Sequence, residues 1–229
     1  MQTAVPEVAD EGVAAEVVVP QAVVIGADGL ARCSWGASSA EYERYHDQEW
    51  GRVVHGETRL FERISLEAFQ SGLSWITILR KREGFRTAFA GFDAEQVAGF
   101  KDDDIARLLA DPGIVRNRAK IAAAIMNARA VLAVRDAVDG GLDALVWSFA
   151  PEPGRPAPRV QGDVPATTPE STALARALKR YGFGWVGPTT AYAAMQACGL
   201  VNDHYADCHA RALVNVVPEA VAPRGSPPG

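Results

Sequence analysis

The hydrophobic pattern of the chain is helical over most of its length. In RNRAKIAAAIMNARAVLAVRDAV, apolar residues recur at Ile121, Ile125, Ala128 and Leu132, which places them on one face of a helix. No segment stands out with the alternation of apolar and polar residues that is typical of a half-buried strand. The pattern therefore predicts an all-α fold built from many short helices.

Residues that favour helix ends bound several of these segments. Ser38 and Glu41 fit a capping box that opens a helix through AEYERYH, and Thr168 followed by Pro169 favours another helix start. Further starts are predicted at Asp93 and Asp102, an end at Gly182, and helices through ETRLFERISLEAFQSG and SWITILRKRE. A Pro-rich loop is predicted over residues 150–168.

The two ends of the chain differ from the helical body. Residues 1–30 are rich in Ala, Val and acidic residues and have no Lys or Arg, so we expect a disordered acidic extension without a signal peptide. We expect a flexible tail over residues 211–229, which leaves one domain over residues 31–210. No apolar run reaches the length of about 18 residues that a membrane helix needs. We therefore expect a cytoplasmic protein with no membrane partner.

Net charge neither supports nor excludes a nucleic-acid partner. The formal charge is −5, but five of the 28 acidic residues lie in residues 1–30, so 23 acids and 23 bases balance in the rest of the chain. Three basic clusters in this neutral body could form a DNA-binding face or solvated helix ends. They are Arg80, Lys81 and Arg82; Arg116, Arg118 and Lys120; and Arg176, Lys179 and Arg180.

Two cysteines and two histidines form a candidate metal site. His204 and Cys208 are spaced so that both would face the same way on a helical turn, and Cys33 and His46 could complete a closed tetrahedral site. Such a site would be structural and would tie the start of the domain to its end. The alternative is a pair of hydrogen-bonded histidines with small buried cysteines. The odd total of three cysteines does not favour a disulfide framework, and His209 could compete as a ligand.

The segment YERYHDQEWG and its surroundings are rich in aromatic side chains. Tyr42, Tyr45 and His46 share one face of the predicted helix. Three tryptophans lie near them in the sequence: Trp35, Trp50 and Trp75. Flat aromatic faces near a carboxylate suit a base removed from a nucleic-acid stack, and they favour a cationic base through cation–π attraction. The alternative is that these rings belong to the core.

Glu67 lies on the apolar face of its predicted helix, together with Leu60, Ile64 and Ser71. A buried carboxylate is costly unless it has a partner. That partner could be structural, such as an arginine or a tyrosine hydroxyl. Alternatively, Glu67 could accept a hydrogen bond from the exocyclic amine of a base or stabilise a cation. The pattern leaves both interpretations open.

The segment YGFGWVGPTTAYAAMQACG, residues 181–199, is similar to a helix-hairpin-helix module, which binds DNA backbone without reading sequence. Gly184 and Gly187 bracket the hairpin, and a helix starts directly afterwards. Glycines let backbone N–H groups approach a phosphate, and the following helix N-terminus favours the anion. The candidate contacts to DNA backbone are therefore Gly184, Gly187 and Thr189.

Over about residues 31–208 the chain strongly resembles the bacterial 3-methyladenine DNA glycosylase I family. The resemblance lies in these segments, in this order: RCSW, YERYHDQEWG, LFERISLEAFQSGLSWITILRKRE, GIVRNRAKI, NARA, VWSF and GFGWVGPTTAYAAMQACGLVNDH. It implies an all-α fold of the helix-hairpin-helix glycosylase superfamily, with a structural zinc site that joins the N- and C-terminal parts of the domain. By this resemblance the zinc ligands are Cys33, His46, His204 and Cys208.

The resemblance also implies roles for the pocket residues. Glu67 would hydrogen-bond the adenine edge, Tyr45 would assist, and Trp75 would stack on the base. The expected further wall residues are Trp35, Tyr42 and Trp50. The acidic extension and the tail are departures from the family pattern, and neither touches these motifs.

The activity implied by the resemblance is hydrolysis of the N-glycosidic bond of 3-methyladenine in double-stranded DNA, after base flipping. We expect a monomeric repair enzyme that releases free 3-methyladenine. No lysine is placed as a Schiff-base nucleophile, so we expect no lyase step. Asp203, next to His204, is interpreted as structural rather than as a general base. A zinc hydrolase with an open metal position and a non-catalytic DNA-binding module are the alternatives from other classes.

Overall fold

The computed structural model describes residues 22–152 and 154–214, and over these residues the fold is mostly helical, as predicted. The helices are α1 (Ala40–Gln48), α2 (Glu57–Gln70), α3 (Trp75–Ala88), α4 (Ala94–Ala98), α5 (Asp102–Ala110), α6 (Arg118–Ala137), α7 (Gly141–Trp147), α8 (Pro169–Arg180) and α9 (Pro188–Ala197). Short 3-10 helices cover Ala90–Phe92, Gln161–Asp163 and His209–Leu213. Strands β1 (Val23–Ile25) and β2 (Ala31–Cys33) pair antiparallel. None of the helices in the described ranges is both long enough and apolar enough to span a bilayer.

The β1–β2 hairpin was not predicted, because strands of three residues are too short to show an alternating pattern. Gly29, with φ of 79°, turns the chain between the strands. Asp28 Oδ1 stabilises the turn by accepting a hydrogen bond from the Leu30 N–H at 3.1 Å. Residues 22–30 therefore belong to the folded domain, and the prediction that they are disordered is corrected. Residues 1–21 of the predicted extension lie outside the described residues.

The C-terminal boundary also moves outward. Residues 211–214, which the sequence assigned to the flexible tail, complete and follow the 3-10 helix His209–Leu213. The rest of the predicted tail, residues 215–229, lies outside the described residues. The ordered domain thus extends beyond both predicted limits, residues 31 and 210.

Helix α1 is capped one residue later than predicted. Ser39 Oγ accepts a hydrogen bond from the Tyr42 N–H at 3.2 Å, whereas Ser38 Oγ donates to the Trp35 carbonyl at 2.8 Å. The predicted caps at Asp93 and Thr168 and the predicted stop at Gly182 are confirmed, while α5 has Lys101 as its N-cap and Asp102 as its first residue. Side-chain caps therefore mark the starts of α1, α4, α6 and α8.

Helix α2 forms the centre of the hydrophobic core. Its residues from Ile64 to Phe69 are all buried, so this stretch is surrounded on every side instead of on one face. The helix packs against α3, α6, α7 and α9. The large buried side chains of this core include Phe61 and Phe69 of α2 itself, and Phe85, Phe89 and Phe92. Because Glu67 belongs to the buried stretch, its carboxyl group lies inside the protein.

Lys120 is buried, although the sequence places it in a basic cluster with Arg116 and Arg118. It is 7% exposed, and its Nζ donates to the carbonyls of Phe69 and Ser71 at 2.9 and 2.5 Å. Carbonyls in the last turn of a helix have no partner within that helix. Lys120 therefore anchors the C-terminal end of α2 and is not available to a DNA phosphate, whereas Arg116 and Arg118 are exposed.

The replacement Lys120→Met tests this anchor, because it keeps most of the side-chain length and removes the ammonium donor. The buried carbonyl of Phe69 and the part-buried carbonyl of Ser71 lose this donor, so the free energy of unfolding should fall by about 2–3 kcal/mol in urea unfolding followed by circular dichroism. Arg118→Met removes an exposed charge at the start of the same helix and should change this free energy by less than about 0.5 kcal/mol. Equal losses in the two variants would contradict the anchoring role.

Candidate metal centre and adjoining pocket

Side chains from both ends of the domain converge on one point. Cys33 ends β2, His46 lies in the last turn of α1, and His204 and Cys208 lie in the loop after α9. Their ligand atoms are all within 4.8 Å of one another, and all four residues are buried. The prediction that His204 and Cys208 share a helical turn is wrong, because the chain between them is irregular. A turn closed by the Cys208 N–H and the Tyr205 carbonyl brings them together instead.

The distances between the ligand atoms fit a tetrahedral metal ion. His46 Nε2 lies 3.2 Å from His204 Nδ1, and Cys208 Sγ lies 3.4 and 3.6 Å from these two nitrogens. Cys33 Sγ lies 3.8 Å from His204 Nδ1. Tetrahedral bonds of about 2.1 Å to nitrogen and about 2.3 Å to sulfur separate two nitrogens by about 3.4 Å, and nitrogen from sulfur by about 3.6 Å. The four side chains can therefore hold one ion without an open position.

Hydrogen bonds orient both imidazole rings of this cluster. His46 Nδ1 lies 2.7 Å from Asp47 Oδ1, and His204 Nε2 lies 3.2 Å from the Trp50 carbonyl oxygen. In each ring the nitrogen that faces an acceptor has the proton, which leaves the other nitrogen as a lone-pair donor for a metal. Burial raises the pKa of Asp47, but hydrogen bonds from Arg32, His46 and His209 outweigh burial and lower it to about 2.

The pKa values of the two thiols shift in opposite directions: the hydrogen bond with Cys208, together with burial, raises the pKa of Cys33 well above its usual range. Hydrogen bonding with Cys33, and with His204 and His46, lowers the pKa of Cys208 well below its usual range. The Tyr205 N–H donates to Cys33 Sγ at 3.3 Å. Because the thiolate is the form that binds metals, the contacts of Cys208 favour ligation by that residue. His209 is not part of the four-residue set.

A cavity of about 420 Å³ adjoins the cluster. The ring of Trp35 lies 5.2 Å from that of His46, and the ring of Trp50 lies 4.7 Å from that of His204, so two residues of the cavity wall touch the metal ligands. All of the residues predicted to bind a base line this cavity: Trp35, Tyr42, Tyr45, Trp50, Glu67 and Trp75.

Several further wall residues were missed by the sequence analysis: Ser38, Gln70, Gln161, Val164, Ala193, Gln196 and Tyr205. They are ordinary residue types spread over α2, α9, a 3-10 helix and the irregular segments, with no spacing that distinguishes them. Only their tertiary arrangement places them together. Asp203, which the sequence analysis interpreted as structural, also lines the cavity.

The aromatic wall is held together by its own contacts. Trp35 packs edge-on against Trp50 and Tyr42, with ring centroids 4.9 and 6.0 Å apart, and Tyr45 and Trp75 are 5.5 Å apart. The hydroxyl of Tyr42 accepts a hydrogen bond from the Ile76 N–H at 3.1 Å, which joins α1 to the start of α3. The rings are thus fixed in place by the fold.

Glu67 lies at the buried side of this cavity and is 6% exposed. Burial raises the pKa of its carboxyl to about 8, and the nearby Arg63 opposes this shift only in part. Arg63 donates a hydrogen bond to Glu49 at 3.2 Å, and no hydrogen bond joins Glu67 to another side chain in the described ranges. At neutral pH the carboxyl is therefore mainly protonated and has no charged partner of its own.

Asp203 belongs to a polar network on another wall of the cavity. Its Oδ2 accepts hydrogen bonds from the Tyr192 hydroxyl at 2.5 Å and from Gln196 Nε2 at 2.8 Å. Arg155 Nη1 lies 3.5 Å from its Oδ1. Because Gln196 donates through Nε2, its carbonyl oxygen is the amide atom left for the cavity. These contacts support a structural interpretation of Asp203.

Residues 183–187 form an irregular segment with a bend at Trp185, directly before α9 and at the position of the predicted hairpin. Asn127 holds it through two contacts: Oδ1 accepts from the Gly184 N–H at 2.7 Å, and Nδ2 donates to the Gly184 carbonyl at 3.1 Å. Gly187 is the N-cap of α9 and Thr189 is exposed in its first turn. Neither glycine has positive φ; Trp185 does, at 60°, and it is 46% exposed. Contacts of this segment with a phosphate stay a prediction.

Known proteins provide the assignment to a family. The sequence profile of a family described as methyladenine glycosylase matches residues 35–212. This chain belongs to the methyladenine glycosylase family. The DNA-3-methyladenine glycosylase 1 of Escherichia coli (strain K12) is 45% identical over 180 residues, which are 78% of this chain and 96% of that protein.

Solved structures of methyladenine glycosylases share the fold of this family member. A crystal structure of 3-methyladenine DNA glycosylase I matches with a TM-score of 0.74 at 46% identity, covering 78% of this chain and 98% of the other. A variant of such an enzyme in complex with 3-methyladenine matches with a TM-score of 0.73 at 33% identity, covering 79% and 97%. Since the family profile begins at residue 35, the β1–β2 hairpin precedes the matched region.

The metal cluster is tested by Cys208→Ser with Cys198→Ser as a matched control, because Cys198 is an equally buried thiol outside the cluster. We expect elemental analysis to find about one bound metal ion per chain in the wild type and in Cys198→Ser, and little in Cys208→Ser, because a hydroxyl is a poor replacement for a thiolate ligand. Unchanged metal content in Cys208→Ser would rule out this ligand set.

The buried carboxyl of Glu67 predicts a specific pH dependence of stability. Its pKa is about 8 in the folded chain and near the ordinary value of 4.5 when unfolded, so the folded state binds more protons between these values. The stability contributed by the protonated carboxyl is present at low pH and is lost as pH rises from about 5 to 8. Glu67→Gln removes this loss.

The free energy of unfolding of Glu67→Gln, relative to wild type, should therefore rise by roughly 2–4 kcal/mol between pH 5 and pH 8. Urea unfolding at both pH values measures it. Glu83→Gln makes the same chemical change on a side chain that is 79% exposed, and its difference from wild type should stay constant. A difference for Glu67→Gln that does not change with pH would contradict the burial effect.

Proposed function

We propose that this chain is a DNA repair glycosylase that hydrolyses the N-glycosidic bond of 3-methyladenine in double-stranded DNA. The observation that supports this most directly is the cavity in which a buried carboxyl, that of Glu67, adjoins the rings of Tyr45 and Trp75 in a chain of this family. Relatives at 45% and 43% identity are DNA-3-methyladenine glycosylases. The reaction belongs to base excision repair.

The shape and chemistry of the cavity suit a flipped purine. Its volume, about 420 Å³, lies within the range of small-molecule sites. We propose that Trp75 stacks on the base and that Tyr45 assists from the same side. Trp35, Tyr42 and Trp50 form further walls. Aromatic faces attract a cation by on the order of 1–2 kcal/mol each in a site without water.

The proposed mechanism follows from the charge of the lesion. Methylation at N3 makes the adenine cationic, so the glycosidic bond is weak and the leaving base needs no proton from the enzyme. Glu67 would accept a hydrogen bond from the adenine edge and provide the negative charge opposite the cation. Undamaged adenine brings no positive charge, so ionisation of the buried carboxyl would stay unfavourable with it in the pocket. Discrimination thus depends on a charge that only the lesion supplies.

We propose zinc as the ion held by Cys33, His46, His204 and Cys208. Two thiolates and two imidazoles in tetrahedral geometry are a typical structural zinc set, and the measured separations agree with zinc–ligand bond lengths. When bound, the ion would supply a fixed link between the two ends of the domain. A set of four protein ligands has no position for substrate water, which disfavours the alternative of a zinc hydrolase.

A reaction without a lyase step is also part of the proposal. Among the described residues that line the cavity, none is a lysine, and Lys120 is engaged with the end of α2. The described cavity wall therefore contains no lysine that could act as a Schiff-base nucleophile.

We propose contacts from Gly184, Gly187 and Thr189 to the DNA backbone. We also propose that the enzyme is monomeric and cytoplasmic, as the sequence predicts.

The decisive assay is release of free 3-methyladenine from alkylated double-stranded DNA by the zinc-loaded chain. Glu67→Gln should lower the rate of release by about 10- to 100-fold, the equivalent of one charge-assisted hydrogen bond. Glu83→Gln, on the surface, should keep the wild-type rate. No release by the wild type would refute the function. Full activity of Glu67→Gln would refute only the role of that residue.

Saturable quenching of tryptophan fluorescence by free 3-methyladenine would count against a binding module that uses the hairpin alone.

A further inference from the structure

Beside the metal ligands lies a second group of side chains, Arg32, Asp47 and His209, which we call the outer cluster. Each of them is a sequence neighbour of a ligand: Arg32 precedes Cys33, Asp47 follows His46, and His209 follows Cys208. The three therefore come from the same three segments of chain, β2, α1 and the C-terminal loop, that the metal would join.

Asp47 is the hub of the outer cluster. Its Oδ1 lies 2.7 Å from His46 Nδ1 and 3.0 Å from His209 Nε2. Arg32 donates to both carboxylate oxygens through Nε, at 3.2 and 3.0 Å, and to Oδ2 through Nη2 at 2.8 Å. One carboxylate thus joins three segments and at the same time fixes the ring orientation of His46.

Arg32 is itself held in place by the hairpin turn. It is 3% exposed, and Asp28 accepts hydrogen bonds from its Nη1 at 2.9 Å and its Nη2 at 2.6 Å. The guanidinium therefore lies buried between two carboxylates. Its Nε and Nη2 donate to Asp47, and its Nη1 and Nη2 donate to Asp28. The β1–β2 hairpin is linked to the metal centre through this residue.

Apolar packing also holds these segments together, through a small cluster against which Trp35 and Val164 pack. The buried apolar residues at this corner form a small cluster of Cys33, Tyr205, Cys208 and Ala210, separate from the main core. Two of these four are themselves metal ligands. Apart from the metal, polar contacts between side chains are therefore a large part of the interactions that hold β2, α1 and the C-terminal loop together.

We propose that the outer cluster is a positioning device, which holds three ligand-bearing segments together and thereby slows release of the metal ion. A bound ion leaves only when its ligands separate, and Asp47 ties His46 to Arg32 and His209 so that they cannot separate independently. The cluster acts on the metal through Asp47, and Arg32 acts through its contact with that residue. The inference does not rest on the glycosylase activity.

The outer cluster is not itself a second metal site on this view. His46, Asp47 and His209 have ligand atoms close enough to hold an ion. However, the Arg32 guanidinium occupies both oxygens of Asp47, and its positive charge would repel a second cation. The metal content of the wild type distinguishes the two interpretations.

The test is the rate at which the zinc-loaded full-length chain transfers its metal to an excess of a chromogenic chelator. Asp47→Asn should raise this rate by about 10- to 100-fold, the usual effect of losing a carboxylate partner of a metal-bound histidine. Arg32→Met should raise it by about 10-fold, and Asp28→Asn, which leaves Asp47 untouched, by about 2- to 5-fold. Arg135→Met removes a paired arginine far from the site and should release metal at the wild-type rate.

The double variant Arg32→Met/Asp47→Asn separates positioning from general destabilisation. Because Arg32 acts through Asp47, the double variant should release metal no faster than Asp47→Asn alone. Effects that multiply would overturn the proposal, as would a wild-type rate in Asp47→Asn. Two tightly bound ions per wild-type chain would also overturn it, because the outer cluster would then be a metal site. If Asp47→Asn does not fold, the milder Asp28→Asn still decides, since a wild-type rate there contradicts the predicted linkage.

Discussion

Convergence of Cys33, His46, His204 and Cys208 is the constraint on which the rest of the structure depends. His46 and His204 are 158 residues apart in the sequence, yet their ring nitrogens lie 3.2 Å from each other. The entropic cost of bringing such distant segments together must be offset at that point. The buried apolar cluster at this corner is small and distinct from the main core, so the ligands and the polar contacts around them contribute much of what holds the first helix against the end of the domain.

Helix α1 transmits this constraint to the pocket. Tyr45 and His46 are consecutive and both buried, so they leave the helix about 100° apart: one side chain lines the cavity and the other joins the metal ligands. Trp35 and Trp50 each touch a ligand histidine and also line the cavity. The shape of the pocket is therefore determined by the same contacts that close the domain. Opposite this wall, α2 supplies Glu67 from within the core.

Much of this arrangement could be predicted from the sequence, for physical reasons that also explain the errors. Helical periodicity and capping residues are local signals, so most of the helices were found, together with the starts of α4 and α8. The metal ligands have distinctive chemistry and could be recognised as a set. Burial of Lys120 could not be predicted, because a lysine near a helix start is usually exposed. Its role depends on two carbonyls about 50 residues away. The contact of Asn127 with the hairpin and the pairing of Gln196 with Asp203 likewise exist only in the folded chain.

The β1–β2 hairpin is stabilised by the contact of Arg32 with Asp28, and an alternating strand pattern does not reveal such a contact.

Both ends of the described chain pack at the metal centre. Ala22 and Val23 pack against the small apolar cluster that contains Cys33 and Cys208. At the other end, Val214 is buried close to Gly51, which in turn faces His204. The two ends of the described chain therefore lie at one corner of the structure. This geometry tolerates circular permutation and insertion into a host protein, because a short linker can then join the ends.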